Sequence, residues 1–119
     1  MRINLRTKLA LLLAAVIAVV SLGACSPADV AVGYFPGYAR ATAHCIIRHE
    51  SGGNPSAVSR TNDHGLFQIN GVHARNFQTV TGKPFYPYVY KEAYNGKYAA
   101  WLWRQQGWRP WTTHSRCGV

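Results

Sequence analysis

The sequence predicts a small, mostly helical α+β domain with one short β-hairpin, and three observations predict it. Residues 39–51 and 92–106 place apolar side chains at helical spacing. Between them lies a turn-rich run, Thr61-Asn62-Asp63-His64-Gly65, followed by Leu66-Phe67-Gln68-Ile69-Asn70, which reads as a turn and a short strand of a hairpin. The chain has 119 residues and no internal repeats, room for one domain with a marginal core.

The first 24 residues stand apart from that domain. Arg2, Arg6 and Lys8 make a basic start, and residues 9–22 are an almost uninterrupted apolar run, too short for a comfortable membrane span. Small residues close it at Leu22-Gly23-Ala24-Cys25. This pattern is a secretory signal peptide over residues 1–24. Its end resembles the lipobox of bacterial lipoproteins, which implies that Cys25 is lipidated and becomes the new N-terminus. The protein is then exported and held in the cell envelope, facing the wall. An ordinary signal peptide cut near Ala24 and an uncleaved anchor remain as alternatives.

Charge narrows the partners. The full chain carries +9, and without the three leader cations ten basic residues face four acidic ones, leaving +6. Such a surface favours anionic partners: peptidoglycan, teichoic acids or lipid headgroups. Export argues against nucleic acid, and nothing in the chain calls for an oligomer. Of the three cysteines, Cys45 and Cys117 remain as a pair if Cys25 carries lipid. An oxidising compartment would join them; two free buried thiols are the other reading. The five histidines are scattered and no Cys-x-x-Cys occurs, so neither metal nor other cofactor is expected.

The elements follow in order. Residues 25–38 contain Pro27, Gly33, Pro36 and Gly37 without a period and read as a tether. The domain proper is expected over 39–119. Its first helix carries Ala39, Ala43, Ile46 and Ile47 on one face, and Gly52-Gly53-Asn54-Pro55 stops it. Glu50 thus falls in the last turn, at a helix–loop junction where a cleft can form. After the hairpin, residues 72–80 suit a short helix ended by Thr81-Gly82-Lys83-Pro84. Residues 85–90 are aromatic and proline-broken and suit a loop over the core. The helix over 92–106 places Tyr94, Tyr98, Trp101, Leu102 and Gln105 on or near one face, with Gly107 as its cap. The four tryptophans all lie from residue 101 onward; most suit core packing, and Trp108 or Trp111 is a candidate to reach a cleft.

Chemistry concentrates in residues 45–70. Two of the four acidic residues, Glu50 and Asp63, frame that block. Glycosidic-bond cleavage needs two carboxyl groups in different surroundings, one protonated to donate to the leaving oxygen and one ionised to support a cationic sugar. Glu50, against an apolar wall of Ile46, Ile47 and late tryptophans, suits the acid. Asp63, beside Asn62 and His64, suits the anion. A helix-end carboxylate capping loop amides and a turn residue accepting backbone bonds are the structural alternatives. Gln68 and Asn70, two apart on a strand, would face the same way and offer donors to sugar hydroxyls, or brace the hairpin.

Two blocks resemble the lysozyme-like superfamily, which includes lysozymes and soluble lytic transglycosylase domains. Glu50-Ser51-Gly52-Gly53-Asn54-Pro55 with Ala57 and Ser59 resembles its glutamate motif, and Asp63-His64-Gly65-Leu66-Phe67-Gln68-Ile69-Asn70 resembles the strand that follows. The resemblance spans roughly residues 40–117. It implies Glu50 and Asp63 as catalytic residues, Ser51, Gln68 and Asn70 as substrate contacts, and a disulfide from Cys45 to Cys117. Ala93-Tyr94-Asn95 resembles the A-Y-N motif of lytic transglycosylases, yet Gly96-Lys97 follows where Ala-Gly is usual. Tyr94 is therefore a weaker site candidate, with core packing as the alternative.

Three functions fit. A lysozyme-type hydrolase cleaving the β-1,4 bond between N-acetylmuramic acid and N-acetylglucosamine uses both carboxyls. A lytic transglycosylase works with the glutamate alone and leaves an anhydro-muramyl product. A non-catalytic envelope lipoprotein uses the same cleft to bind glycan or protein. Asp63 tips the balance toward the hydrolase.

Overall fold

The computed structural model describes residues 25–119; the signal-peptide reading of residues 1–24 lies outside them. The chain runs α1 (Pro27–Val32), α2 (Gly37–Ser51), β1 (Asp63–His64), β2 (Ile69–Asn70), a 3-10 turn (Gly71–His73), α3 (Ala74–Thr81), α4 (Phe85–Tyr88), α5 (Glu92–Gln106) and a C-terminal 3-10 helix (Thr112–Cys117). Helices with one two-stranded antiparallel sheet make it α+β, as the sequence predicts.

The tether expected over 25–38 is instead part of the domain. Ser26 caps α1 with a capping box: its hydroxyl accepts from the Asp29 N–H at 3.1 Å, and Asp29 accepts from the Ser26 N–H at 3.0 Å. Pro27 suits the first helical turn. With only six residues, α1 owes its persistence to packing. Ala31, Val32 and Phe35 are buried, and Ala31 lies against Gly96 of α5 so closely that a Cβ there would overlap its backbone. Proline and glycine spacing hid this helix because its apolar face is so short.

The core gathers around α5, whose bounds are those expected. Burial is not confined to the anticipated face. Asn95, Gly96, Tyr98, Ala99, Ala100 and Leu102 are buried, Tyr94 and Trp101 are half-buried, and Gln105 is exposed. The helix is covered on several sides, by α1 and α3 among others. Phe35, Ile46, Ile47, Leu66, Phe67 and Phe77 complete the interior; fully burying each such side chain stabilises by about 1.5–3 kcal/mol. Trp111 is also buried, in core rather than cleft. Residues 85–90, expected as a proline-broken loop over the core, hold the four-residue α4, which is interrupted at Tyr86, where the backbone is extended at φ −94° and ψ 136°; Phe85 and Val89 are buried beneath.

Cys45 and Cys117 are joined, with Cα atoms 5.8 Å apart and a sequence separation of 72. The bond fastens the C-terminal 3-10 helix to α2. Closing a loop of that length stabilises by about 4 kcal/mol in the chain-entropy account. His49 comes close to both sulfurs, but the disulfide removes the thiolates a metal would need.

Candidate functional site

Glu50 and Asp63 sit in contrasting settings. Glu50 lies in the last turn of α2, just before its final residue, Ser51. Gly52 then takes a left-handed conformation at φ 62° and closes the helix on the Arg48 carbonyl. Ser51, a candidate substrate contact, is engaged locally: its hydroxyl donates to the Ile47 carbonyl at 3.1 Å and accepts from the Gly53 N–H at 3.2 Å. The Glu50 carboxyl is half-buried, and the Thr113 hydroxyl donates to its Oε1 at 2.7 Å. Loss of water pushes its pKa above the ordinary value; the Thr113 bond pulls the other way, the Asp63 charge pushes further up, and His49 pulls weakly down. It is a carboxyl biased to keep its proton.

Asp63 opens the hairpin. Its pairing with Asn70, and that of His64 with Ile69, is the whole ladder. The strand expected over 66–70 is shorter than its sequence suggests, because residues 65–68 form the turn between strands. Gly65 stands at φ 75°, where a Cβ would overlap the Asn95 amide and the Val89 carbonyl. Burial alone would raise the Asp63 pKa, but three side-chain donors outweigh it and hold the carboxyl below its ordinary value. Thr61 and Ser59 donate to Oδ2, Ser59 at 2.7 Å, and Asn70 donates to Oδ1 at 3.0 Å. It is a carboxyl biased to stay ionised.

The polar residues expected on one strand part company. Gln68 lies in the turn at φ 50°, and its amide donates to the Ala57 carbonyl at 3.1 Å and the Gly65 carbonyl at 2.9 Å. It braces the loop. Asn70 donates to Asp63 and to the Thr61 carbonyl and accepts from the Val72 N–H, so it positions Asp63. Tyr94 packs edge-on against Tyr88, centroids 5.3 Å apart, which is the packing alternative. His64, expected as a bland turn residue, is buried. Its Nε2 meets Asn62 at 2.7 Å and Tyr86 at 3.0 Å, and its Nδ1 meets Tyr90 at 2.6 Å. Burial lowers its pKa against the pull of Asp63, which favours the neutral imidazole, and the ring stitches the hairpin to Tyr86 of α4 and to Tyr90 beyond it.

Asn95 and Thr113, to which the sequence assigns no site role, complete the site together with Trp111. Asn95 is fully buried; it accepts from the Phe67 N–H at 3.0 Å and donates to the Val89 and His64 carbonyls at 2.8 and 3.2 Å. From the other side the Trp111 indole N–H donates to the Phe67 carbonyl at 2.8 Å. The hairpin turn is therefore clamped between α5 and the C-terminal tail, two residues along from which Thr113 reaches Glu50. A signal for Thr113 did exist. Cys45 lies five residues before Glu50 and Cys117 four after Thr113, so the disulfide brings the two stretches together. Asn95 belongs to the Ala93-Tyr94-Asn95 match, in which the asparagine and not the tyrosine bonds the hairpin turn.

A helix-end glutamate within electrostatic range of a hairpin aspartate, built around a buried central helix, defines a small lysozyme-like domain. The chain belongs to the transglycosylase SLT domain family, whose model matches residues 35–101, more than half of its length. Members of this family typically cleave glycosidic bonds, and the substrate the family implies is the glycan of peptidoglycan. No curated protein and no solved structure matches the chain.

Proposed function

We propose that the protein cleaves the β-1,4 bond between N-acetylmuramic acid and N-acetylglucosamine in peptidoglycan, with Glu50 as the general acid. The observation that carries this is the opposed bias of the two carboxyls, Glu50 toward the acid and Asp63 toward the anion. The Glu50 proton passes to the bridging oxygen as the bond from C1 breaks. Asp63 supports the positive charge that develops on the sugar.

The intramolecular route fits these residues better than the hydrolytic one. A nucleophilic aspartate needs a free oxygen, whereas Oδ2 of Asp63 accepts from two hydroxyls and Oδ1 from Asn70. The substrate's own primary hydroxyl then bonds C1 and returns its proton to Glu50. No water is consumed and an anhydro-muramyl end results. Hydrolysis, with water in the hydroxyl's place, is the second reading, favoured by the persistence of an ionised Asp63.

Mass analysis of products from purified peptidoglycan tests both. Anhydro-muramyl ends are expected, while reducing ends would favour hydrolysis. Glu50→Gln should lower turnover by at least about 10²-fold, the scale of positioned acid catalysis. A wild-type protein that retains glycan without any turnover would leave only the binding reading.

We also propose export and lipidation at Cys25. That residue is exposed and immediately precedes Ser26, the cap of the docked α1, so a lipid there would hold the domain close to the membrane. Cys25→Ala should release the protein from membranes or leave it unprocessed. Wild-type protein that is wholly soluble, with no lipid mass on its N-terminal peptide, would contradict this.

A further inference from the structure

A groove of about 550 Å3 contains neither Glu50 nor Asp63. It is lined by Tyr34, Thr79 and Val80, and by Lys97, Trp101 and Arg104 of α5. The last three recur at i, i+4 and i+7, one stripe of one helix, with the two cations about 10 Å apart along its axis. No acidic residue lines it. The chain's four carboxylates are engaged or placed elsewhere: Asp29 pairs with His44 at 3.3 Å, Glu50 with Thr113, Asp63 with the hairpin donors, and Glu92 starts α5. The Arg104 guanidinium rests by the Tyr34 carbonyl at 3.5 Å. Trp101 is half-buried, 5.5 Å from the Tyr98 ring, which holds it in place. Tyr34 is 40% exposed.

Aromatic surface between two cations has a definite chemical complement. Indole and phenol rings take up the apolar faces of sugar rings or polyol chains. Lys and Arg on either side take negative groups, Arg with planar, bidentate geometry for phosphate or carboxylate. We propose that this groove is a second glycan-binding site. It takes an anionic carbohydrate or polyol polymer whose negative groups are spaced along the backbone. The concave shape favours a chain lying in the groove over a flat lipid surface. The site does not depend on the cleavage reaction: it would hold the domain on a charged wall polymer while the Glu50 site works on another strand.

Calorimetric titration of the full chain in detergent tests this. The probes are a poly(glycerol phosphate) oligomer, an oligogalacturonate, a neutral chito-oligosaccharide and a single-stranded oligonucleotide of matched charge. At least one of the first two should bind, and which one does separates phosphate from carboxylate as the recognised group. Lys97→Gln/Arg104→Gln should weaken that binding at least tenfold, and turnover of a short soluble glycan should stay unchanged. Glu50→Gln should bind the anionic probe as wild type does. Lys97→Gln alone, at an exposed position, should show a partial loss without any change in thermal midpoint. The proposal is overturned if neither anionic probe binds, if the double variant binds as tightly as wild type, or if the neutral glycan or the oligonucleotide binds equally well. Binding that appears only with phosphatidylglycerol vesicles would overturn it too.

Discussion

The end of α2 and the hairpin that follows each present one carboxyl, yet they push it in opposite directions. At the helix end Glu50 loses water and receives a single hydroxyl, from Thr113. In the hairpin Asp63 receives three side-chain donors within a short turn-rich stretch. The intrinsic chemistry of the two groups is nearly the same. What separates them is the number of donors each backbone context can bring, set against the water it excludes. Their supports differ as well. A covalent bond holds the Thr113 side of Glu50 in place, whereas a buried amide, Asn95, holds the turn that carries Asp63.

The largest expected effects come from removing those supports one at a time. Cys117→Ser should cost on the order of 2–5 kcal/mol in chemical denaturation and should disturb the Glu50 setting first. Asn95→Ala leaves a buried N–H and two buried carbonyls without their partner. It should cost at least about 3 kcal/mol, since each orphaned group carries roughly 1–3 kcal/mol, and should disturb the hairpin first. Equal damage to both settings from either change would show that they are a single unit, joined through the Phe67 peptide that Asn95 and Trp111 share.

Smaller effects sharpen the comparison by their sign. Thr113→Val removes the bond that lowers the Glu50 pKa, so the alkaline limb of the pH–rate profile should move up. Asp63→Asn removes the charge that raises it, so the same limb should move down, alongside a loss of rate. Stability should also respond with opposite signs. Asp63, lowered in the fold, stabilises above its ordinary pKa, and that contribution fades as pH falls through the folded value. Glu50, raised in the fold, favours the native state while protonated, and that contribution fades as pH rises from 4.5 through its folded value. Limbs moving the same way in both variants would remove the basis for the comparison.

Much of this was legible in residues alone. The two long helices follow from apolar period and glycine stops, and α5 begins and ends where the pattern does. Glu50 at a helix–loop junction follows from Gly52-Gly53-Asn54-Pro55. The rest depended on contacts distant in sequence. Helix α1 is too short to show a period and exists because Ala31 fits against Gly96, which no local pattern encodes. Gln68 and Asn70 read as strand neighbours only while the turn was placed before Leu66; with Gln68 at positive φ, their alternation has no meaning. Thr113 lies 63 residues from its partner, and only the disulfide spacing hinted at it. Asn95 was visible as part of a motif but not as the group that bonds three backbone partners.

One carboxyl is held as an acid while the other is held as an anion. Carbon-13 NMR titration of the side-chain carboxyls reads this directly, with Glu50→Gln and Asp63→Asn assigning the two resonances. Glu50 should titrate above the ordinary glutamate value of 4.5 and Asp63 below the ordinary aspartate value of 3.8. Both groups titrating at their ordinary values, or Asp63 above Glu50, would contradict it.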